Sequence, residues 1–409
     1  MQLDKAAFPI LLAAALKDKN ALEDIPAADS IRRAAAFIAA HGPSTEQDRW
    51  EENAGVNIFT LTVAIAGLVE AAAFLETEAG EFALKLAGYW NARLEGWTFA
   101  ANTPLAARFG VSGHYIRTLP TDGASHRQAL SETVPVKNLA ADPDLPANAQ
   151  IATDFLQLVR YGLRSADDPA ILDTLKVADG LLKTDTPSGP VWHRYNDDGY
   201  GEHDDDGAFY GAGRGRGWPL LTGERGHCAL SAGEDVLPYI EAMMAMSSPL
   251  GLIPEQVWDA APIPLAGLSP GKPSGSAMPL VWAHGAFIKL CCSRDLGRPV
   301  NRPATTWDRY RGVRSKLNYD IWGPNMFIRR IRAGNTLIVA LKARARVHRA
   351  VNGRTNTRDI ETRDTGIGLH VVELPAADLT DGQTIEFTFY WLAAGAWEGQ
   401  NHQVQVDAL

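Results

Sequence analysis

The sequence predicts a mainly α-helical protein, an α/α toroid followed by a small β-sandwich-like domain. Three features predict it. Up to about residue 300, apolar residues return every three or four positions in segments of helical length. Those segments are joined alternately by short and long connections. Beyond about residue 320 the pattern changes to alternating or continuous β-branched and aromatic runs separated by turn dipeptides. At 409 residues the chain exceeds the size at which one core usually stops growing. A helical domain over 1–310 and a β domain over 320–409 are therefore expected.

The periodicity places helices at 4–17, 29–40, 56–77, 80–97, 147–164, 168–183, 227–246 and 278–293. The first, within "MQLDKAAFPILLAAALKDKN", has Asp4 ahead of its apolar stretch and no small-residue cleavage site. It reads as a buried amphipathic helix rather than a signal peptide. "HGP" at 41–43 stops the second helix and "LGRP" at 296–299 follows the last. The count falls three or four helices short of a complete six-pair ring. Stretches 102–146 and 184–226 are rich in Gly, Pro, Asp and aromatics, and connections that long are often functional. Strands are expected in "TLIVALKARARV" (336–347), "GLHVVEL" (368–374), "TIEFTFYWL" (384–392) and "HQVQV" (402–406). "NG" at 352–353 and "DG" at 381–382 read as turns.

The formal net charge of -9 argues against non-specific nucleic-acid binding, which neutralises phosphates with Lys and Arg. No window approaches 18 uninterrupted apolar residues, so no membrane partner is expected. The three cysteines, Cys228, Cys291 and Cys292, suit neither a disulfide framework nor a spaced zinc site, and read as small buried hydrophobes in helices.

Chemistry-bearing residues gather in a few stretches. "QDRWEENAG" (47–55) sets Asp48, Glu51 and Glu52 around Trp50. Acids favour helix starts, where free N–H groups and the dipole attract negative charge. Alternatively, a carboxyl group against an aromatic wall loses hydration, keeps its proton and acts as an acid. "GAGRGRGWPLLTGERG" (211–226) lacks the lysine and preceding strand of a phosphate loop. Glycines beside Trp218 instead suit close backbone approach to a flat ligand. "TDTPSGPVWHRYNDDGYGEHDDDG" (184–207) mixes Trp192, Arg194, Tyr195 and Tyr200 with Asp197, Asp198, Glu202 and Asp204 to Asp206. It suits a solvated acidic loop, a calcium site without EF-hand spacing, or a sugar pocket of aromatic faces and polar forks. "GLIPEQVWDAAP" (251–262) places Glu255 between Pro254 and Gln256, with Trp258 close by. The ten histidines form no HExxH pair and no triad signature. Glu51 and Glu255 both fall on loops after helices, which a toroid can bring to one face. Two facing carboxyl groups, one protonated and one ionised, are the apparatus of glycoside hydrolysis.

"DRWEENAG", "HRYNDDGYGE" (193–202), "GRGWPLLTGERG", "LIPEQVWD" and "SGSAMPLVWAHGAFIKL" (274–290), in this order, resemble the glucoamylase and glucodextranase family, glycoside hydrolase family 15, in its bacterial form. The resemblance covers most of 1–300, and the β-rich tail is like the trailing domain of some members. It implies an (α/α)6 barrel and an inverting, exo-acting release of β-glucose from the non-reducing ends of α-glucans, with no cofactor required. By motif, Glu51 becomes the general acid and Glu255 the general base that activates water. Inversion implies carboxyl groups about 6.5–9.5 Å apart. Trp50 and Glu52 would hold sugar near the acid, alongside Asp48, and Trp50 would keep the acid's surroundings dry. Arg194 would fork onto hydroxyls of the terminal glucose with Asp197 and Asp198 nearby, Trp218 would form an aromatic wall, and Gln256 would help place the water. Among the 11 tryptophans none opens the family's Trp-x-Arg-Asp loop, and "MQLDKAAFPILL" matches a position inside the barrel. The chain is thus expected to be N-terminally incomplete relative to the family, with apolar helix faces exposed. That leaves a catalytically impaired or carbohydrate-binding relative as the alternative. A sugar phosphorylase is disfavoured, because Glu255 stands where a base belongs.

Overall fold

Helix dominates up to residue 310 of the computed structural model, which describes residues 2–121, 126–205, 210–323, 325–326, 328–353, 355–375 and 379–407. α1 (Leu3–Asp18) buries Leu3, Ala7, Ile10 and Ala14, one stripe at helical spacing. α2 (Ala28–His41) does the same with Ile31, Ala35 and Ile38. α3 (Ile58–Ala71) is buried along its whole length, Thr60, Thr62 and Glu70 included. α4 (Thr77–Thr98) is the longest. The short α5 (Pro104–Phe109) starts with Thr103 accepting from the Ala106 amide and ends at Gly110 in the left-handed region. α6 (His126–Ala129), α7 (Leu156–Arg160) and α8 (Pro169–Leu181) follow, the last capped by Asp168. α9 (Pro219–Ser231), α10 (Leu237–Met246), α11 (Val281–Leu296) and α12 (Ala304–Tyr310) complete the helical region.

Several expected boundaries move. The segment 56–77 gives α3 preceded by a strand pair, Val56–Asn57 with Thr118–Leu119, and followed by a 3-10 turn at Ala72–Phe74. The expected helix 147–164 resolves into two 3-10 turns and α7. Polar Asn148, Gln150, Thr153 and Asp154 interrupt its apolar period, and the Gln150 amide donates to the carbonyls of Val134 and Leu145. The expected helix 227–246 is two helices broken at 232–236, where Gly233 takes φ 82°, and α9 begins eight residues earlier at Pro219. Stretch 336–347 is likewise two strands, Thr336–Leu341 and Ala345–Val351. Of the cysteines only Cys228 is buried; Cys292 is exposed on α11, so its reading as a core residue is corrected.

The chain divides into two compact units. One comprises Glu46–Thr62 and Leu94–Val313, and holds every site residue expected above. The other comprises Gln2–Thr45, Val63–Arg93 and Arg314–Leu409. Within the second unit the strands form two sheets. One runs in the order 355–361, 345–351, 384–391, 402–407, 330–332, with 396–397 beside 384–391; the other runs 363–364, 370–374, 336–341, 319–322. Alternate residues of 384–391 and 402–407, Ile385, Phe387, Phe389, Val404 and Val406, share one apolar core with Leu337, Val339, Val372 and Trp322 of the other sheet. In the same unit the Trp90 indole donates to the Met326 sulfur at 3.1 Å, and Asn325 donates to the last carbonyls of α2.

Apolar side chains are exposed on α1 (Phe8, Leu12) and along one face of α11 (Val281, Ile288, Leu296). Among the described residues no helix is long and apolar enough to cross a membrane.

Candidate active site

The acid-rich loop after α2 is built around Asp48, which is fully buried. Asp48 Oδ1 accepts from the backbone amides of Trp50 and Glu52, at 3.0 and 3.1 Å, and the Glu51 amide donates to the Asp48 carbonyl. This folds four residues into a tight Asx-type turn. At its apex Glu51 takes φ 63°, a left-handed conformation that costs a non-glycine residue about 1–3 kcal/mol. Gly55 then lets the chain pass the strand at 118–119, where an added Cβ would come within 2.4 Å of the Leu119 carbonyl oxygen. The first helical turn beyond contains no acid. The helix-start reading of this stretch is thereby corrected: its acids hold a loop, not a helix terminus.

Glu52, not Glu51, is the enclosed carboxylate. Its Oε2 accepts from Arg117 (2.6 Å) and the Tyr195 hydroxyl (2.5 Å), and its Oε1 from Asn138 (3.0 Å) and Arg194 (3.1 Å). Four donors therefore occupy both oxygens. Glu51 is exposed at the loop apex, so the dry surroundings expected for it belong to its neighbour. The chain places Trp50 and Glu52 against the cluster and turns position 51 outward.

Arg194 is the hub. It forks onto Asp198, Nε to Oδ2 at 2.7 Å and Nη2 to Oδ1 at 2.6 Å, and sits 4.9–5.8 Å from the rings of Trp50, Tyr200 and Trp218. Burial opposes its charge, yet Asp198 and Glu52 outweigh burial and hold its pKa above the ordinary arginine value. Its Nη1 makes no hydrogen bond among the described residues. The indole N–H groups of Trp50 and Trp218 are also buried without a partner among them. Trp50 meets Trp218 edge-on at 5.1 Å and Trp282 at 5.6 Å. Two buried, unsatisfied donors thus border one aromatic cluster, a cost that a hydroxyl-bearing ligand would relieve.

Trp218 is aimed by the glycine-rich run. Gly217 permits contact with Val191, where a Cβ would lie 2.4 Å from the side chain, and at Gly215 a Cβ would come within 2.6–2.7 Å of the Asp198 side chain. These glycines admit neighbouring protein rather than the flat ligand expected. Trp218 then precedes Pro219 at the first position of α9.

Glu255 joins the cluster through Tyr200 and Arg194. Burial raises its pKa above the ordinary carboxylate value, against the Arg194 charge, the Tyr200 hydroxyl and the Ala277 amide, which all favour the anion. Gln256 donates through Nε2 to the Tyr200 carbonyl at 3.0 Å and so braces Tyr200, while its Oε1 is buried without a partner. Asp197 is separate: it turns outward at φ 62°, accepts from the Asn196 amide and lines a cavity with Asp198. Asp204 of the acidic loop pairs with Arg214 and Arg216, and Asp206 lies outside the described residues. Among the described residues no three His, Cys, Asp or Glu are grouped to hold a metal ion.

Arg117, Asn138 and Trp282 carry no site signal in the sequence, and Tyr195 and Tyr200 stand out there only as aromatics of the stretch 184–207. Arg49, inside the acid-rich stretch itself, carries none either. Its guanidinium is buried, pairs with Asp154 (2.9 Å) and Glu224 (2.8 Å), and stacks on Trp50 and Phe59 at 4.6 Å.

The family model for glycosyl hydrolases family 15 matches residues 1–291. A curated glucoamylase from Clostridium sp. (strain G0005) is 36% identical over 316 residues, which is 76% of this chain but 41% of that protein. A solved bacterial glucoamylase complexed with acarbose is similar at a TM-score of 0.67 and 36% identity, over 76% of this chain and 43% of its own. The chain thus spans about two fifths of the relatives it matches. By its sequence match and by this likeness in structure, the chain belongs to glycosyl hydrolases family 15.

Proposed function

We propose that the chain carries the acid–base and sugar-binding apparatus of an inverting, exo-acting glycoside hydrolase that releases β-glucose from non-reducing ends of α-glucans. One observation carries this reading: the indole N–H groups of Trp50 and Trp218 are buried without a partner among the described residues, against the Arg194 guanidinium that faces Glu255. They match the hydroxyls and C–H faces of a pyranose. In the proposed step Glu51 gives its proton to the glycosidic oxygen as the C1–O bond breaks. Glu255 takes a proton from the water that attacks C1 from the opposite face, so the anomeric configuration inverts. Glu52 and Asp198 set the Arg194 fork, and Gln256 sets Tyr200 against the base. The name of the relatives, glucoamylase, supports an α-glucan or oligosaccharide substrate. The helices are proposed to belong to an (α/α)6 toroid, with 1–310 as catalytic module and 320–409 as a β-sandwich module.

The exposure of Glu51 favours a second reading, a carbohydrate-binding relative with impaired catalysis. Glucose release from maltotetraose and isomaltose, measured for the parent chain and Glu255→Gln, separates the two. Release that the substitution abolishes supports hydrolysis, and saturable binding without release supports the second reading.

A further inference from the structure

A cavity of about 900 Å³ lies on the other side of Asp198, within the size range of small-molecule sites. Its wall includes Leu105 and Arg108 of α5, His193, Tyr195, Asp197 and Asp198, and none of Trp50, Glu51, Trp218 or Glu255 lines it. Its charges nearly cancel. Asp198 is neutralised by Arg194; Arg214, also on the wall, pairs with Asp204 at 2.6 Å; and the His193 ring meets Asp259 at 2.9 Å. What remains is one cation, Arg108, with no ion pair among the described residues, and one anion, Asp197, engaged only by Asn196. A wall of one donor-rich fork, one acceptor pair and aliphatic surface suits an uncharged ligand bearing both hydroxyls and C–H faces. A phosphorylated or carboxylated ligand would meet Asp197 unfavourably.

We propose that this cavity is a second site for a neutral oligosaccharide, distinct from the site around Glu51 and Glu255. Asp198 and Tyr195 are common to both: the Asp198 carboxylate holds the Arg194 fork, the Tyr195 hydroxyl donates to Glu52, and both residues border the cavity. The inference rests on the α-glucan reading above. The test is calorimetric binding of maltoheptaose to the Glu255→Gln chain, alone and with Arg108→Ala or Asp197→Asn added. The expected result is two classes of site in the first protein, with one class weakened about tenfold or more by either added change. Hydrolysis of maltose by a chain carrying Arg108→Ala alone is expected to stay within about twofold of the parent. A single class that neither change affects, or a second class displaced by inorganic phosphate, overturns the proposal and leaves the hydrolase reading standing. No binding in any of these proteins overturns both.

Discussion

Arg49 reaches both oxygens of Glu224 through one nitrogen, at 2.8 and 3.0 Å, across 175 positions of sequence. The same guanidinium pairs with Asp154, which accepts in turn from Asn57 at 2.9 Å. The loop that presents Trp50, Glu51 and Glu52 is thereby tied to α9, whose first residues place Trp218. Burial opposes the Arg49 charge, but Glu224 and Asp154 hold its pKa above the ordinary value.

A buried pair of this kind is costly to break from one side. Glu224→Gln is expected to destabilise the fold by about 3–5 kcal/mol, because Arg49 loses its main counter-ion without water to replace it. The solvent-facing pair Lys85–Glu373 gives the contrast, and Lys85→Ala is expected to change stability by no more than about 1 kcal/mol. Urea denaturation of the two variants checks the difference; equal midpoints would show that the Arg49 network holds nothing.

Arg194→Lys keeps the charge and loses the fork. A lysine cannot donate to both Asp198 oxygens and to Glu52 while leaving a planar nitrogen for substrate. A fall in kcat/KM on the order of 10²-fold is expected. Steady-state kinetics on maltotetraose tests it, and parent-like kcat/KM would remove Arg194 from the substrate site.

Glu255 must be ionised to act as base, so activity should fall as pH drops through a pKa that burial raises above the ordinary carboxylate value. The Tyr200 hydroxyl favours the anion. Tyr200→Phe removes that support, raises the pKa further and moves the acid limb of the kcat/KM profile to higher pH. An acid limb that stays put, or moves down, contradicts the assignment of Glu255 as base.

Much of this was legible in the sequence, for physical reasons that differ by element. The stripe of α1 and the alternation of 384–391 survive in the structure because burial on one face dictates each period. Helix 147–164 was not legible, since the buried polar side chains of Gln150, Thr153 and Asp154 look like a helix's wet face until their partners are known. Asp48, Trp50, Glu52, Arg194, Asp198 and Trp218 are brought together, and Glu255 and Gln256 reach them through Tyr200. Asp197, adjacent to Asp198, is exposed in left-handed backbone while Asp198 is buried on the Arg194 fork, a difference that two neighbouring aspartates do not show in sequence. Arg49 gave no sign of burial in sequence: its two acids lie 105 and 175 positions away.

Glu255→Gln keeps the shape of the side chain and removes the base. A loss of about 10²–10⁴-fold in turnover is expected with substrate binding retained. Maltotetraose affinity and single-turnover rate, measured on the same preparation, check both halves; undiminished turnover would assign the base elsewhere.

The most direct measurement of the central claim is the anomeric form of the first glucose released from maltotetraose, followed by proton NMR before mutarotation. Glu51 and Glu255 acting on opposite faces of the sugar predict β-glucose from the α-linked substrate. Initial α-glucose would mean retention, and would contradict an inverting pair at these two residues.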